Sequence, residues 1–95
     1  MQTLTGKQKR QLRGQGQRLE VTLAVGQGGV SENFIGEVSR HLDSRELIKV
    51  RLFDERGRAR QAAAERIAER TNSICVGVVG RTLLLYRPAE LQNDE

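Results

Sequence analysis

Residues 20–25, EVTLAV, alternate in polarity. Val21, Leu23 and Val25 fall on one side and Glu20, Thr22 and Ala24 on the other, which is the period of a half-buried strand. Residues 46–53, ELIKVRLF, repeat the pattern, with Ile48, Val50 and Leu52 opposed to Lys49 and Arg51. Two further apolar runs, 74–79 and 82–86, are separated by Gly80-Arg81 alone, the spacing of a tight hairpin. Between the strands the period changes to that of a helix. Phe34, Ile35, Val38 and Leu42 recur at three- and four-residue intervals, so a helix is expected from Ser31, its N-cap, to about Ser44. Residues 59–71, rich in Ala, Glu and Arg, read as another helix, with Ala59, Ala63 and Ile67 on one face. A short first helix over 6–16 is expected behind Thr5 as N-cap. Its Leu4, Gln8 and Leu12 share the side that docks, and Lys9, Arg10 and Arg13 gather on the opposite, outward side. Asp54-Glu55-Arg56-Gly57 reads as a turn, and Pro88 closes the ordered region.

The order helix–strand–helix–strand–helix–strand–strand predicts an α/β (α+β) sandwich: a four-stranded mixed sheet with amphipathic helices packed on it. Ninety-five residues suit one domain, with an ordered core over about 4–88 and a frayed tail over 89–95.

Charge narrows the function. The formal net charge is +4, and it is unevenly placed. Lys7, Lys9, Arg10, Arg13 and Arg18 face only Glu20 within residues 1–20, whereas the last stretch, AELQNDE, is acidic. Such asymmetry points to nucleic acid or another anionic surface. With Phe34, Phe53 and Tyr86 as its only aromatics, the chain cannot offer a row of stacking rings of the kind an RRM sheet uses. A single cysteine, Cys75, allows no intramolecular disulfide, and the expected setting is reducing and cytoplasmic. No secretory leader and no membrane span is expected from the hydropathy.

The candidate chemistry lies between the first strand and the second helix. Gly26-Gln27-Gly28-Gly29 is a G-x-x-G loop that leads into a helix start. Helix N-termini present unpaired N–H groups and partial positive charge, and glycines let a phosphate approach the backbone closely. The loop is not a P-loop, because no Gly-Lys-Ser/Thr follows, and it is a poor dinucleotide fingerprint, because Ser31 stands at the third glycine position. A KH domain places its G-x-x-G differently, between two helices. The interior Gln27-Gly28 is uncharged, so the loop would act through N–H groups and the Gln27 amide. Lys49 and Arg51 on one strand face and Arg81 at the hairpin extend the basic set, with ordinary solvated surface as the plain alternative for each. Arg87 reads as a structural partner of a carboxylate and Tyr86 as a residue packed on the sheet. His41 reads as a helix-end residue and Cys75 as a small buried one. No His/Cys/Asp/Glu cluster suggests a metal, and no nucleophile–base set suggests an enzyme.

Four separated segments, LTGKQKRQLRG, VGQGGVSENF, RELIKVRL and VVGRTLLLYRP, resemble the CRM family (chloroplast RNA splicing and ribosome maturation) in its short, stand-alone bacterial form. The resemblance runs from about Leu4 to Pro88. It implies an α-β-α-β-α-β-β fold similar to the C-terminal domain of translation initiation factor three. It also implies a non-enzymatic RNA-binding role in ribosome biogenesis. The implied RNA is that of the large ribosomal subunit or its precursor, with ribosomal proteins as further partners and no cofactor, membrane or small-molecule substrate. The family's loop falls on Gly26, Gln27, Gly28 and Gly29. The expected RNA-binding set is completed by Lys7, Lys9, Arg10, Arg13, Lys49, Arg51 and Arg81. Two other readings stay open at this point: a general nucleic-acid binder, and a module that docks on a ribosomal protein.

Overall fold

A computed structural model of the chain describes residues 4–25, 30–52 and 57–88. The elements are α1 (Gly6–Gly16), β1 (Leu23–Ala24), α2 (Glu32–Ser44), β2 (Leu47–Arg51), α3 (Gly57–Arg70), β3 (Ile74–Val79) and β4 (Thr82–Tyr86). They follow the predicted order. The sheet runs β1-β2-β4-β3, with β1 parallel to β2 and the other two pairings antiparallel. The G-x-x-G loop, Phe53, the turn residues 54–56 and the tail 89–95 lie outside the described residues.

Central strand β4 determines the layering. Its TLLLY sequence is apolar at three consecutive positions, as in strands covered on both faces. Leu83 and Leu85 join Ile48 and Val50 of β2 in the main core, together with Phe34, Ile35, Val38 and Leu42 of α2 and Ala64, Ile67 and Ala68 of α3. Leu84 is buried outside that cluster, on the opposite face. It meets α1 there: a Cβ on Gly16 would lie 2.7 Å from Leu84 Cδ2. Helices α2 and α3 thus cover one face of the sheet and α1 part of the other.

Local signals set the ends. Thr5 caps α1 in a reciprocal capping box with Gln8: the Gln8 N–H donates to Thr5 Oγ1 at 3.1 Å, and the Thr5 N–H donates to Gln8 Oε1 at 2.9 Å. Ser31 caps α2 by accepting from the Phe34 N–H at 3.1 Å. Helix α3 ends in a Schellman motif, with Asn72 at φ 54°, the Ser73 N–H on Ala68 O and the Asn72 N–H on Glu69 O. At the β3–β4 turn Gly80 has φ +58°, the positive value that a two-residue hairpin takes most easily at glycine. Arg70, in the last turn of α3, pairs with Glu32 in the first turn of α2. Each charge suits its own helix end, and the arginine holds the Glu32 carboxyl below its ordinary range.

Three expectations are corrected. β1 is shorter than 20–25, although the Thr22 and Val25 N–H groups still bond to Lys49 O and Arg51 O on either side of it. α3 begins at Gly57 rather than residue 59, and its buried stripe is Ala64, Ile67 and Ala68, with Ala59 exposed. α1 docks through a side turned from the expected one, although Leu4 and Leu12 are partly buried as expected. Gly16 is its buried residue and Lys9 and Leu12 are partly buried, whereas Gln8 is exposed and occupied in the capping box. Lys9 and Arg13 therefore do not share the free side with Arg10.

Arg87 ties the two helices of the core face together. Nη1 donates to Thr71 O at 2.8 Å and to Ser39 Oγ at 3.2 Å, and Nη2 donates to Ser39 O at 2.8 Å and to Asp43 Oδ1 at 2.6 Å. The residue is 6% exposed, so these partners replace water. Removing the donor leaves the buried Thr71 carbonyl and the part-buried Ser39 acceptors without this partner. Arg87→Met should therefore lower unfolding free energy by about 1–3 kcal/mol, read as a lower urea midpoint at unchanged slope.

Candidate nucleic-acid interface

The sheet face that carries α1 gathers several of the predicted cations. On β2, Lys49 and Arg51 point away from the main core, because Ile48 and Val50 point into it. Register places Lys49 opposite Leu84 and Arg51 opposite Thr82, and Gly77 of β3 pairs with Leu84 from the other side. Arg13 crosses above this row: a Cβ on Gly77 would meet Arg13 Cδ at 3.2 Å and Cγ at 3.5 Å. The aliphatic stem of Arg13 thus lies along the glycine, in the manner of long cationic side chains that bury their stems and keep their heads in water.

The cations differ in freedom. Lys49 Nζ donates to Leu19 O at 3.1 Å, which fixes the ammonium above the sheet and leaves it two further N–H donors. Arg51 and Arg81 are exposed. They stand at one end of the sheet, because the Leu52 N–H donates to Arg81 O at 2.6 Å and the Val25 N–H donates to Arg51 O at 2.8 Å. Val25, bonded to Arg51, is the last described residue before the G-x-x-G loop. Lys7 and Arg10 are exposed on α1, and Lys9 is partly buried. The structure thus brings Arg13, Lys49 and Arg51 onto one surface, with exposed Arg81 in the hairpin turn at its end. Lys7 and Arg10 stand on the far side of α1, and Gly26, Gln27, Gly28 and Gly29 fall outside the described residues.

A groove of about 250 Å³ runs between α1 and the β3–β4 hairpin. Leu84, Gly77 and Thr82 form its floor, Val79 its outer edge, and Arg13, Lys49 and Gln17 its rim. None of the described residues that line it is acidic. Periodicity and motif alone do not reveal this groove. The signal that could have found it is Gly77, a glycine inside an apolar strand, which often marks close approach by another part of the chain. A second recess, lined by Arg18, Glu20, Thr22, His41 and Arg45 among others, lies by the C-terminal end of α2, and its cations share the space with a carboxylate.

Cys75 is half-buried and burial pushes its thiol up, away from the thiolate a nucleophile requires. No group of three His, Cys, Asp or Glu residues stands together among the described residues. No helix there is long and apolar enough to cross a membrane.

A small α+β module with a cationic sheet face only partly covered by α1 is thus defined, and comparison with known proteins gives its family. The CRS1/YhbY (CRM) domain model matches residues 4–87, and the chain belongs to that family. It is 37% identical over 87 residues to the Bacillus subtilis protein named "Probable RNA-binding protein YqeI", covering 92% of this chain and 91% of that one. It is 33% identical over 90 residues to a Haemophilus influenzae protein named "RNA-binding protein", covering 95% and 91%. The solution structure of SAV1595 from Staphylococcus aureus superposes with a TM-score of 0.81 at 37% identity, over 90% of each chain.

The close approach of α1 to the sheet shapes this face. A larger residue at position 16 must displace the buried Leu84 side chain. Gly16→Val should cost about 1–3 kcal/mol through overpacking, measured by urea denaturation. In Gly16→Ala the better helix propensity offsets part of the overlap, by up to about 1 kcal/mol.

Proposed function

We propose that this protein binds RNA without catalysing a reaction, and that it acts in the cytoplasm on large-subunit ribosomal RNA or its precursors during ribosome assembly, where ribosomal proteins supply further contacts. The observation that carries the reading is the convergence of Arg13, Lys49 and Arg51 on one sheet face, with Arg81 exposed in the hairpin turn at its end, around a groove with no acidic lining among the described residues. The relatives' names, and the family's match over nearly the whole chain, support RNA as the polyanion.

In this reading the sheet-face cations and the G-x-x-G loop hold the backbone. Lys7, Lys9 and Arg10 add attraction from α1. Contacts of this kind fix position on phosphate and ribose and read RNA shape more than sequence. Counterion release then makes affinity depend on salt.

Neutralising Arg13, Arg51 and Arg81 together (each to Gln) should reduce the slope of log affinity against log salt by about 0.7–0.9 for each phosphate no longer neutralised. The same change at Lys7 and Arg10 should move the slope less. Equal slopes in all three proteins, measured by fluorescence anisotropy on a ribosomal RNA fragment, would remove the sheet face from the interface. Excess unlabelled duplex DNA in the same assay should not displace the RNA; full displacement would show a general nucleic-acid binder.

Gly28→Asp places a carboxylate within the loop. RNA affinity should fall by about tenfold, the loss of one charge-assisted hydrogen bond, with the thermal midpoint unchanged. Undiminished affinity would take the loop out of the interface.

A further inference from the structure

We infer that the groove between α1 and the β3–β4 hairpin takes a single unpaired RNA base, one that presents a keto-acceptor edge, with guanine preferred. The inference rests on RNA binding by this face and adds what that binding recognises.

Size is the first ground. The groove measures about 250 Å³, below the roughly 300–1,000 Å³ of pockets built for drug-sized ligands and suited to one planar ring system. Its chemistry is the second. The floor of Leu84 and Gly77 is apolar, and Val79, at its edge, is 75% exposed, so a ring laid there removes apolar surface from water. The Arg13 stem lies within van der Waals reach of the Gly77 position. With Nη1 3.9 Å from the same position, the guanidinium stands at the groove's rim, where its plane can stack on an unstacked base without an aromatic residue.

Hydrogen-bonding polarity is the third ground. The charged rim groups, Arg13 and Lys49, only donate, and Lys49 is fixed by its bond to Leu19 O. Guanine presents O6 and N7 as two adjacent acceptors, the edge that Arg and Lys bind best, whereas adenine places a donor amino group beside N7. Charge complementarity supports the same occupant. A base in the groove puts its flanking phosphates near Arg51 and Arg81, and no described lining residue repels them.

The test uses the full chain and three RNA hairpins: fully paired, with one bulged guanine, and with one bulged adenine. The guanine bulge should bind about tenfold more tightly than the paired hairpin, the discrimination one well-made base contact supplies. The adenine bulge should gain less. In Thr82→Phe, which fills the floor, the bulge preference should vanish while affinity for the paired hairpin persists. Methyl NMR of the unmodified protein gives a readout that needs no variant: the Leu84 and Val79 methyl signals should shift with bulged RNA and stay in place with paired RNA. Equal affinity for the paired and guanine-bulged hairpins overturns the inference, as do unmoved methyl signals or a bulge preference that survives in folded Thr82→Phe. Each of these results leaves RNA binding by the basic face standing. Failure of all three hairpins to bind overturns both readings.

Discussion

Helix α1 can lie on the sheet because Gly16 has no side chain where Leu84 rises to meet it. A Cβ there would come within 2.8 Å of both Leu84 methyl carbons, closer than carbon atoms pack. This approach sets how far α1 stands from β4, and with it the rest of the face. At that distance the Arg13 stem falls across Gly77, the second position where a side chain would crowd its neighbour. The groove is the space left beside these two approaches, and its lining joins residues of α1, β2, β3 and β4. Two glycines with no hydrophobic contribution of their own thus determine the shape of the cationic surface.

The cations of this chain divide into two populations by what surrounds them. Arg87 is held by Ser39, Asp43 and Thr71 beneath the sheet, where a guanidinium fork can satisfy several fixed acceptors at once. It joins α2 to the end of α3 and has no access to a ligand. Arg70 is exposed but engaged with Glu32, and an exposed pair of this kind contributes little to stability. Arg51 stands on the opposite face from Arg87, and Arg81 in the hairpin turn, both exposed. Net charge is shared by both populations, but the exposed guanidiniums are the ones left open to a polyanion.

Much of this is legible in the sequence because burial here follows simple periods. The alternation of Ile48, Val50 and Leu52 against Lys49 and Arg51 assigns the two faces of β2 correctly, and Thr5 and Ser31 mark two helix starts where the structure has them. Arg87 is legible as a structural partner of a carboxylate. The side on which α1 docks is not, for a physical reason. Hydropathy assigns docking to leucines and exposure to lysines and arginines. In α1 the closest approach is made by a glycine, and Arg13 packs through its methylenes. The groove is illegible for the same reason: it is made by close approach between elements far apart in the chain. The loop, by contrast, is visible as a motif from its glycines alone, and the described structure adds only its surroundings, with Val25 bonded to Arg51 on one side and Ser31 capping α2 on the other.

The scarcity of aromatic residues, which argues against recognition by stacked rings, takes on another meaning beside the groove. Phe34 is buried in the core, and Tyr86 lies half-buried in β4 between Leu47 and Ile74, so neither offers an open stacking platform. A sheet without such platforms can still hold a base if something flat and cationic covers an apolar floor. On the inference above, Arg13 would supply that arrangement: the glycine lets its stem lie low, which brings the guanidinium beside the Leu84 floor. Such a slot differs from an aromatic platform in a way that bears on function. A ring stacks on every base with little preference, whereas donor-only charged groups at the rim favour bases with acceptor edges. A module of this size would then combine backbone attraction, which reads shape, with one point of base selection, and that point depends on the same glycine-permitted packing that seats α1.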